Sequence, residues 1–242
     1  MNAAKKKKTV LNVAVWSYKG GVGKTTLAFH LTDALATRGY NVALMDLDPQ
    51  GSTTSLSEAN DRALAAGETT DKGFLFDLYA DSAEMGALHS TPKAWSHIID
   101  SLGEAGHQIV VAEYGPGVPG TVLGNRHDLV LVPFQPGQTD FTAALRGVQS
   151  LPEGVKTVGV LTRYKRTSPA HQMFFDLAQE TFGQDNVLVM QEATVFQTCN
   201  NLGRSVYTLK ERVYGLAQAQ GAMDLMAQKV LDELDLPHEI TA

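Results

Sequence analysis

The densest chemistry in the chain is the run Lys19-Gly20-Gly21-Val22-Gly23-Lys24-Thr25-Thr26. Its three glycines let the backbone curl so that successive N–H groups point inward at an anion. The helix expected to open at Thr25 adds partial positive charge at the same point. Lys24 has the reach for β- and γ-phosphates, and the Thr25 hydroxyl is placed to ligate magnesium. The strict phosphate-loop pattern G-x-x-x-x-G-K-[ST] fails, because its first glycine falls on Tyr18; a second lysine, Lys19, stands at the mouth of the loop instead. A glycine-rich turn with no ligand is the competing reading. The spacing, with an apolar strand before and a helix pattern after, argues against it.

A second group of polar residues lies about twenty positions further on, at Asp46-Leu47-Asp48-Pro49-Gln50. Side chains at i and i+2 of an extended segment point the same way, so the two carboxylates share a face. A magnesium nucleotide site needs one anionic group for metal-bound water and another polar group to orient an attacking water. A plain strand-ending turn initiated by Asp48-Pro49 is the alternative. A third acid, Glu113, closes the apolar run Ile109-Val110-Val111-Ala112 and is followed by the glycine- and proline-rich segment at residues 114–120, which reads either as a second switch or as a tight loop.

The elements that must position these groups alternate. Strands are expected at residues 10–16, 41–47, 108–112, 128–134, 155–162 and 187–190. Helices are expected at 25–38, 52–66, 138–150, 168–182 and about 210–234, from apolar spacing and stop signals. Residues 67–106 read poorly, with short helices at 74–79 and 92–102. The pattern predicts an α/β fold: a doubly wound, mainly parallel sheet covered by helices on both faces, with ligands beyond the carboxyl ends of its strands. Residues 1–9 are expected to form a basic tail and 10–242 a single domain.

Composition bounds the function. The 242 residues, 43% hydrophobic and 19% charged, are those of an ordinary globular protein. The single cysteine, Cys199, excludes an internal disulfide framework and the paired cysteines of an iron–sulfur protein. No signal peptide and no apolar run of the roughly 20 residues that span a bilayer is visible, so a cytoplasmic protein is expected. Net charge is −6, but Lys5 to Lys8 hold four of the 20 basic residues, leaving 16 against 26 acids, or −10, for the rest. A globally basic nucleic-acid binder is excluded; any DNA contact would use a local patch or the tail, which reads either as a solvated arm or as a DNA-touching one.

KGGVGKTT followed by DLDPQGS resembles the ParA/MinD family of deviant-Walker ATPases, nearest to short ParA partition proteins without an N-terminal DNA-reading domain. The resemblance runs from about Val10 to Tyr207. It takes in Val130-Leu131-Val132-Pro133-Phe134-Gln135-Pro136 with Asp140-Phe141, and a weaker signature over residues 196–206. It implies ATP and magnesium as cofactors and a homodimer that sandwiches ATP. The loop Gly20, Gly21, Val22, Gly23, Lys24, Thr25 and Thr26 would bind the nucleotide. Lys19 would cross to the partner's phosphates, Lys24 would hold its own, Thr25 would ligate the metal, Asp46 would hold metal-bound water and Asp48 would position the hydrolytic water. Glu113 stands where the family usually has aspartate; it would either hold metal-bound water at a different reach or serve structure alone. The family's base-contacting asparagine is replaced by Thr162-Arg163.

The resemblance further implies slow, partner-stimulated hydrolysis, a ParB-like centromere-binding or adaptor partner, nonspecific DNA binding and nucleoid association. Arg163, Lys165, Arg166, Arg204, Lys210 and Arg212 are the cations available for DNA, as a patch or as scattered charges. The C-terminal segment carries Asp224, Asp232, Glu233, Asp235 and Glu239, which an anionic membrane would repel, so direct membrane binding is not expected. A positioning ATPase for protein cargo and a small-molecule kinase of the dethiobiotin synthetase kind remain as alternatives.

Overall fold

The computed structural model describes residues 10–67, 71–80, 91–124, 126–210 and 212–240. The basic tail at residues 1–9 lies outside them. Strands β1 (Leu11–Val15), β2 (Val42–Leu47), β3 (Asp77–Ala80), β4 (Ile109–Tyr114), β5 (Leu129–Phe134), β6 (Thr157–Tyr164) and β7 (Val187–Gln191) form one sheet. Their order is β3-β2-β4-β1-β5-β6-β7, and every pairing is parallel. The expected doubly wound α/β sheet is what the chain forms.

Parallel strands covered on both faces must be apolar on both faces, and β2, β4 and β5 are buried along their whole length. On one face Val13, Val15, Leu44 and Val111 pack with Leu27 and Leu31 of α1 (Lys24–Ala36) and Met223 and Val230 of α8 (Leu216–Glu233). On the other, Ala14, Met45, Val110 and Ala112 pack with Trp95 of α3 (Pro92–Glu104), Phe141 of α5 (Gln138–Ser150) and Phe174 of α6 (Pro169–Phe182). The remaining α-helices among the described residues are α2 (Ser52–Ala65), the short α4 (Gly120–Leu123) and α7 (Thr194–Leu202).

Three local expectations are corrected. The segment expected to be helical at 74–79 instead delivers Phe74 and Phe76 to the core beside Phe29, and then forms edge strand β3 on β2. Helix α7 was not expected. The C-terminal helix starts at Leu216 rather than near Lys210, because Gly215 takes a left-handed φ of 85° at its N-cap.

Sheet register does the first part of site assembly. Asp46 is directly opposite Glu113 in the β2–β4 ladder, and Glu113 is opposite Val15 in the β4–β1 ladder. All three stand at the carboxyl ends of neighbouring central strands, where β1 passes into the glycine loop and α1. Asp46 and Glu113 are two residues beyond Leu44 and Val111, so they emerge on the α1 face.

Candidate functional site

The glycine loop has the geometry its composition requires. Gly21 and Gly23 adopt left-handed φ values of 74° and 91°, and Gly23 is the N-cap from which α1 opens. A Cβ added at Gly20 or Gly21 would meet nothing within 4 Å, so this side of the loop is open. The loop is tied down from behind: Thr162 Oγ1, fully buried at the end of β6, lies 2.8 Å from the Val22 carbonyl, and Gln135 Nε2 donates to the Gly21 carbonyl at 2.8 Å. A cleft of about 330 Å³ lies over the loop, lined among others by Lys24, Thr25, Thr26, Asp48, Gln50 and Arg163.

The two lysines occupy different environments. Lys24 is 5% exposed; its ammonium donates to the Lys19 carbonyl at 3.4 Å. Burial lowers its pKa, while the charges of Glu113 and Asp48 pull it back up. The Lys19 side chain is 41% exposed and its ammonium reaches Asp140, in the first turn of α5, at 2.5 Å. Thr139 stands alongside at 3.5 Å.

Each of the three acids is held by hydrogen bonds. Glu113 is fully buried and accepts from Thr25 Oγ1 at 2.5 Å and from Thr53 Oγ1, on α2, at 2.6 Å. Burial pushes its pKa up to about 7; the two hydroxyls and Lys24 oppose that shift, and Asp46 adds to it. Asp46 accepts from the backbone N–H and hydroxyl of Thr54 at 3.1 and 3.2 Å and from the Asp48 N–H at 3.1 Å. Its pKa is raised, chiefly by burial. Asp48 is 8% exposed, lines the cleft, and is oriented by the Gln50 N–H at 3.0 Å.

This donor set fits a magnesium nucleotide. The ligands are hard oxygens, and a hydroxyl carries two lone pairs and one proton, so Thr25 can face a cation while still donating to Glu113. Among the described residues no cluster of three or more acidic, histidine or cysteine side chains forms a self-sufficient metal site. Magnesium characteristically takes one or two protein carboxylates and completes its shell with water and phosphate oxygens.

The sequence-selected residues Lys19 to Thr26, Asp46, Asp48 and Glu113 are thus brought together. Those selected for DNA are not all at the surface. Arg204 is 6% exposed and its guanidinium donates to the Thr208 carbonyl, so it is spent inside the fold. Lys165 pairs with Glu192 at 2.8 Å, Lys210 pairs with Asp71, and Arg166 and Arg212 are exposed. Arg163 lines the loop's cleft. Sequence reading missed Thr53, Thr54 and Thr162, whose hydroxyls hold the acids and the loop. Threonines carry no spacing signal until the sheet is assembled.

A loop, two lysines and three acids at the switch point of a doubly wound sheet define a phosphate-loop nucleotide-binding protein. The chain belongs to the CobQ/CobB/MinD/ParA nucleotide-binding-domain family, which matches residues 13–215. It is 32% identical over 157 residues to the maintenance of carboxysome distribution protein A of Gloeobacter kilaueensis, covering 62% of each chain. It is 31% identical over 144 residues to the chromosome-partitioning ATPase Soj of Thermus thermophilus, covering 57% of this chain and 53% of Soj. These two matches span about half to three-fifths of those relatives' length. Among solved structures, an ATP complex of Cyanothece McdA aligns with a TM-score of 0.67 at 14% identity, over 97% of this chain and 100% of that one. The ParA of pNOB8 bound to nonspecific DNA aligns at 0.60 and 15% identity, over 93% and 99%. No helix among the described residues is long and apolar enough to cross a membrane.

Proposed function

We propose that the protein is a ParA-like ATPase that partitions DNA: an ATP-sandwich dimer binds DNA nonspecifically and a ParB-like partner releases it by stimulating hydrolysis. The carrying observation is the pair of lysines with different environments. Lys24 is buried in its own loop, whereas Lys19 is held at the loop mouth by a partly exposed ion pair that it can leave. Such a pair suits a site in which one lysine serves its own protomer's phosphates and the other its partner's.

The residues divide the work. Glycine-loop N–H groups and Lys24 bind the phosphates. Thr25 would ligate magnesium, and Asp46 and Glu113 would hold its water ligands. A magnesium ion held there would supply positive charge to offset the negative charge of the phosphates. Asp48, fixed by the Gln50 N–H, orients the attacking water. The segment from Asp46 to Thr54 both borders the phosphates and opens α2, so loss of the γ-phosphate would be felt by a whole helix. Lys165, Arg166, Lys210 and Arg212 are the surface cations for DNA. The pairs that hold two of them are exposed and weak enough to exchange for phosphates.

The test combines dimerisation and DNA retention. Lys24→Ala is expected to abolish nucleotide binding. Lys19→Ala is expected to retain binding and lose ATP-dependent dimerisation, followed by sedimentation. The wild type is expected to be retained on unrelated duplex DNA with ATP, steeply less so as salt rises. A Lys19→Ala protein that dimerises normally with ATP removes the sandwich, and equal retention with ADP and ATP removes the switch. The carboxysome-distribution relative favours a second reading, the same switch acting on protein cargo. DNA retention is common to both, so the partner bound by the ATP dimer separates them.

A further inference from the structure

The structure assigns Arg163 to the nucleotide: we infer that it is a second phosphate-binding cation, acting within its own protomer beside Lys24, rather than a DNA contact. The inference rests on the nucleotide reading of the cleft and adds a residue to it.

Three observations converge on Arg163. Its φ is +50°, a left-handed conformation that costs a side chain bearing a Cβ and that only Asp235 shares among the described non-glycine residues. The β6–β7 ladder is irregular at the same place: Leu161 pairs with Val189 and Tyr164 with Gln191, so β6 spends one more residue than its partner. A bulge of this kind re-aims a side chain and occurs often beside active sites. Finally, Arg163 lines the cleft over the glycine loop, together with Gly21, Lys24, Thr25, Thr26 and Asp48.

The position is also held in place. Thr162, immediately before it, is fully buried with its hydroxyl against the carbonyls of Val22 and Phe134, so Arg163 is fixed relative to the loop it faces. Its neighbour Lys165 is drawn away to Glu192, whose carboxylate also lies within the field of Arg163. Besides the Pro116 ring, the walls that Arg163 shares are loop glycines, a lysine, hydroxyls, the Gln50 amide and a carboxylate, with no aromatic face on which a base would stack. The matching ligand is therefore the anionic phosphate chain of a nucleotide, which a guanidinium binds through paired N–H donors.

The experiment titrates MgADP and a magnesium–nonhydrolysable ATP analogue into the wild-type chain and its Arg163→Ala, Arg163→Lys and Arg163→Gly variants by calorimetry. DNA retention is measured at saturating nucleotide. Removing the guanidinium is expected to weaken both nucleotides about tenfold, with lysine restoring part of the loss and DNA retention unchanged. The glycine variant carries the distinction from a structural role. It relieves the left-handed strain, so its thermal midpoint should equal or exceed that of the wild type while its nucleotide affinity still falls. Wild-type affinity in both the alanine and glycine variants overturns the inference, and loss of DNA retention in its place returns Arg163 to the DNA surface. If Lys24→Ala binds nucleotide as the wild type does, the nucleotide reading itself fails, an outcome visible without any Arg163 variant.

Discussion

Replacing Glu113 by glutamine is expected to stabilise the nucleotide-free protein, by an amount that depends on pH. The side chain is fully buried between Thr25 and Thr53, and burial raises its pKa from 4.5 to about 7. A carboxyl whose folded pKa lies above its unfolded value favours the folded state only while protonated. That contribution is fully present below about pH 4.5 and is lost as pH rises through about 7. That rise corresponds to roughly 3 kcal/mol at pH 8 and to about 1 kcal/mol or less at pH 5. Glutamine matches the shape, accepts from one threonine hydroxyl and donates to the other, and carries no charge to desolvate. Urea unfolding of both proteins without nucleotide at pH 5 and pH 8 measures the difference. Glu113→Gln is expected to gain about 2–3 kcal/mol at pH 8, with the gap nearly closing at pH 5. A gap of the same size at both pH values would show that the carboxyl does not titrate in this range, and the reasoning from burial would be wrong.

Three other outcomes follow from named contacts. A Cβ at Gly115 would stand 3.1 Å from Asp48 Oδ1 and from Pro49 Cδ, so Gly115→Ala should push Asp48 off its position. Turnover is expected to fall about tenfold with MgADP affinity little changed, measured by phosphate release beside calorimetry. Asp140→Asn removes the ion pair that holds Lys19 in its own protomer. Because that pair is partly exposed it is worth about 1 kcal/mol or less in each of the two protomers, so ATP-dependent dimerisation should tighten by up to about thirtyfold in sedimentation. A Cβ at Gly203, where φ is 59°, would lie 2.2 Å from the Leu56 carbonyl oxygen and 2.5 Å from the Asn60 nitrogen. Gly203→Ala should therefore cost about 3 kcal/mol or more, seen in the urea midpoint.

Local sequence determined the parts whose physics is local. The glycine loop is legible because only glycine adopts the φ of 74° and 91° cheaply at Gly21 and Gly23, and because a helix start beside it supplies N–H groups. Apolar runs of strand length between helix patterns were enough to predict the doubly wound sheet. What the chain alone did not disclose depends on neighbours remote in sequence. Edge strand β3 is a strand because β2 offers it a ladder, and its own exposed, mixed residues carry no such signal. Glu113 has its pKa pushed up to about 7 only because assembly buries it, with Asp46 set opposite by register adding to the rise and the hydroxyls of Thr25 and Thr53 opposing it. Lys19 meets Asp140 across 121 residues, and Arg163 turns to the cleft through a bulge that exists only as a mismatch between two strands. Arg204, a surface cation by composition, is buried by packing. Residue type and spacing thus specify which chemistry the chain can perform. Burial and register, which are properties of the assembled sheet, decide which carboxyl has its pKa raised, which lysine is buried and which is partly exposed, and which arginine lines the cleft.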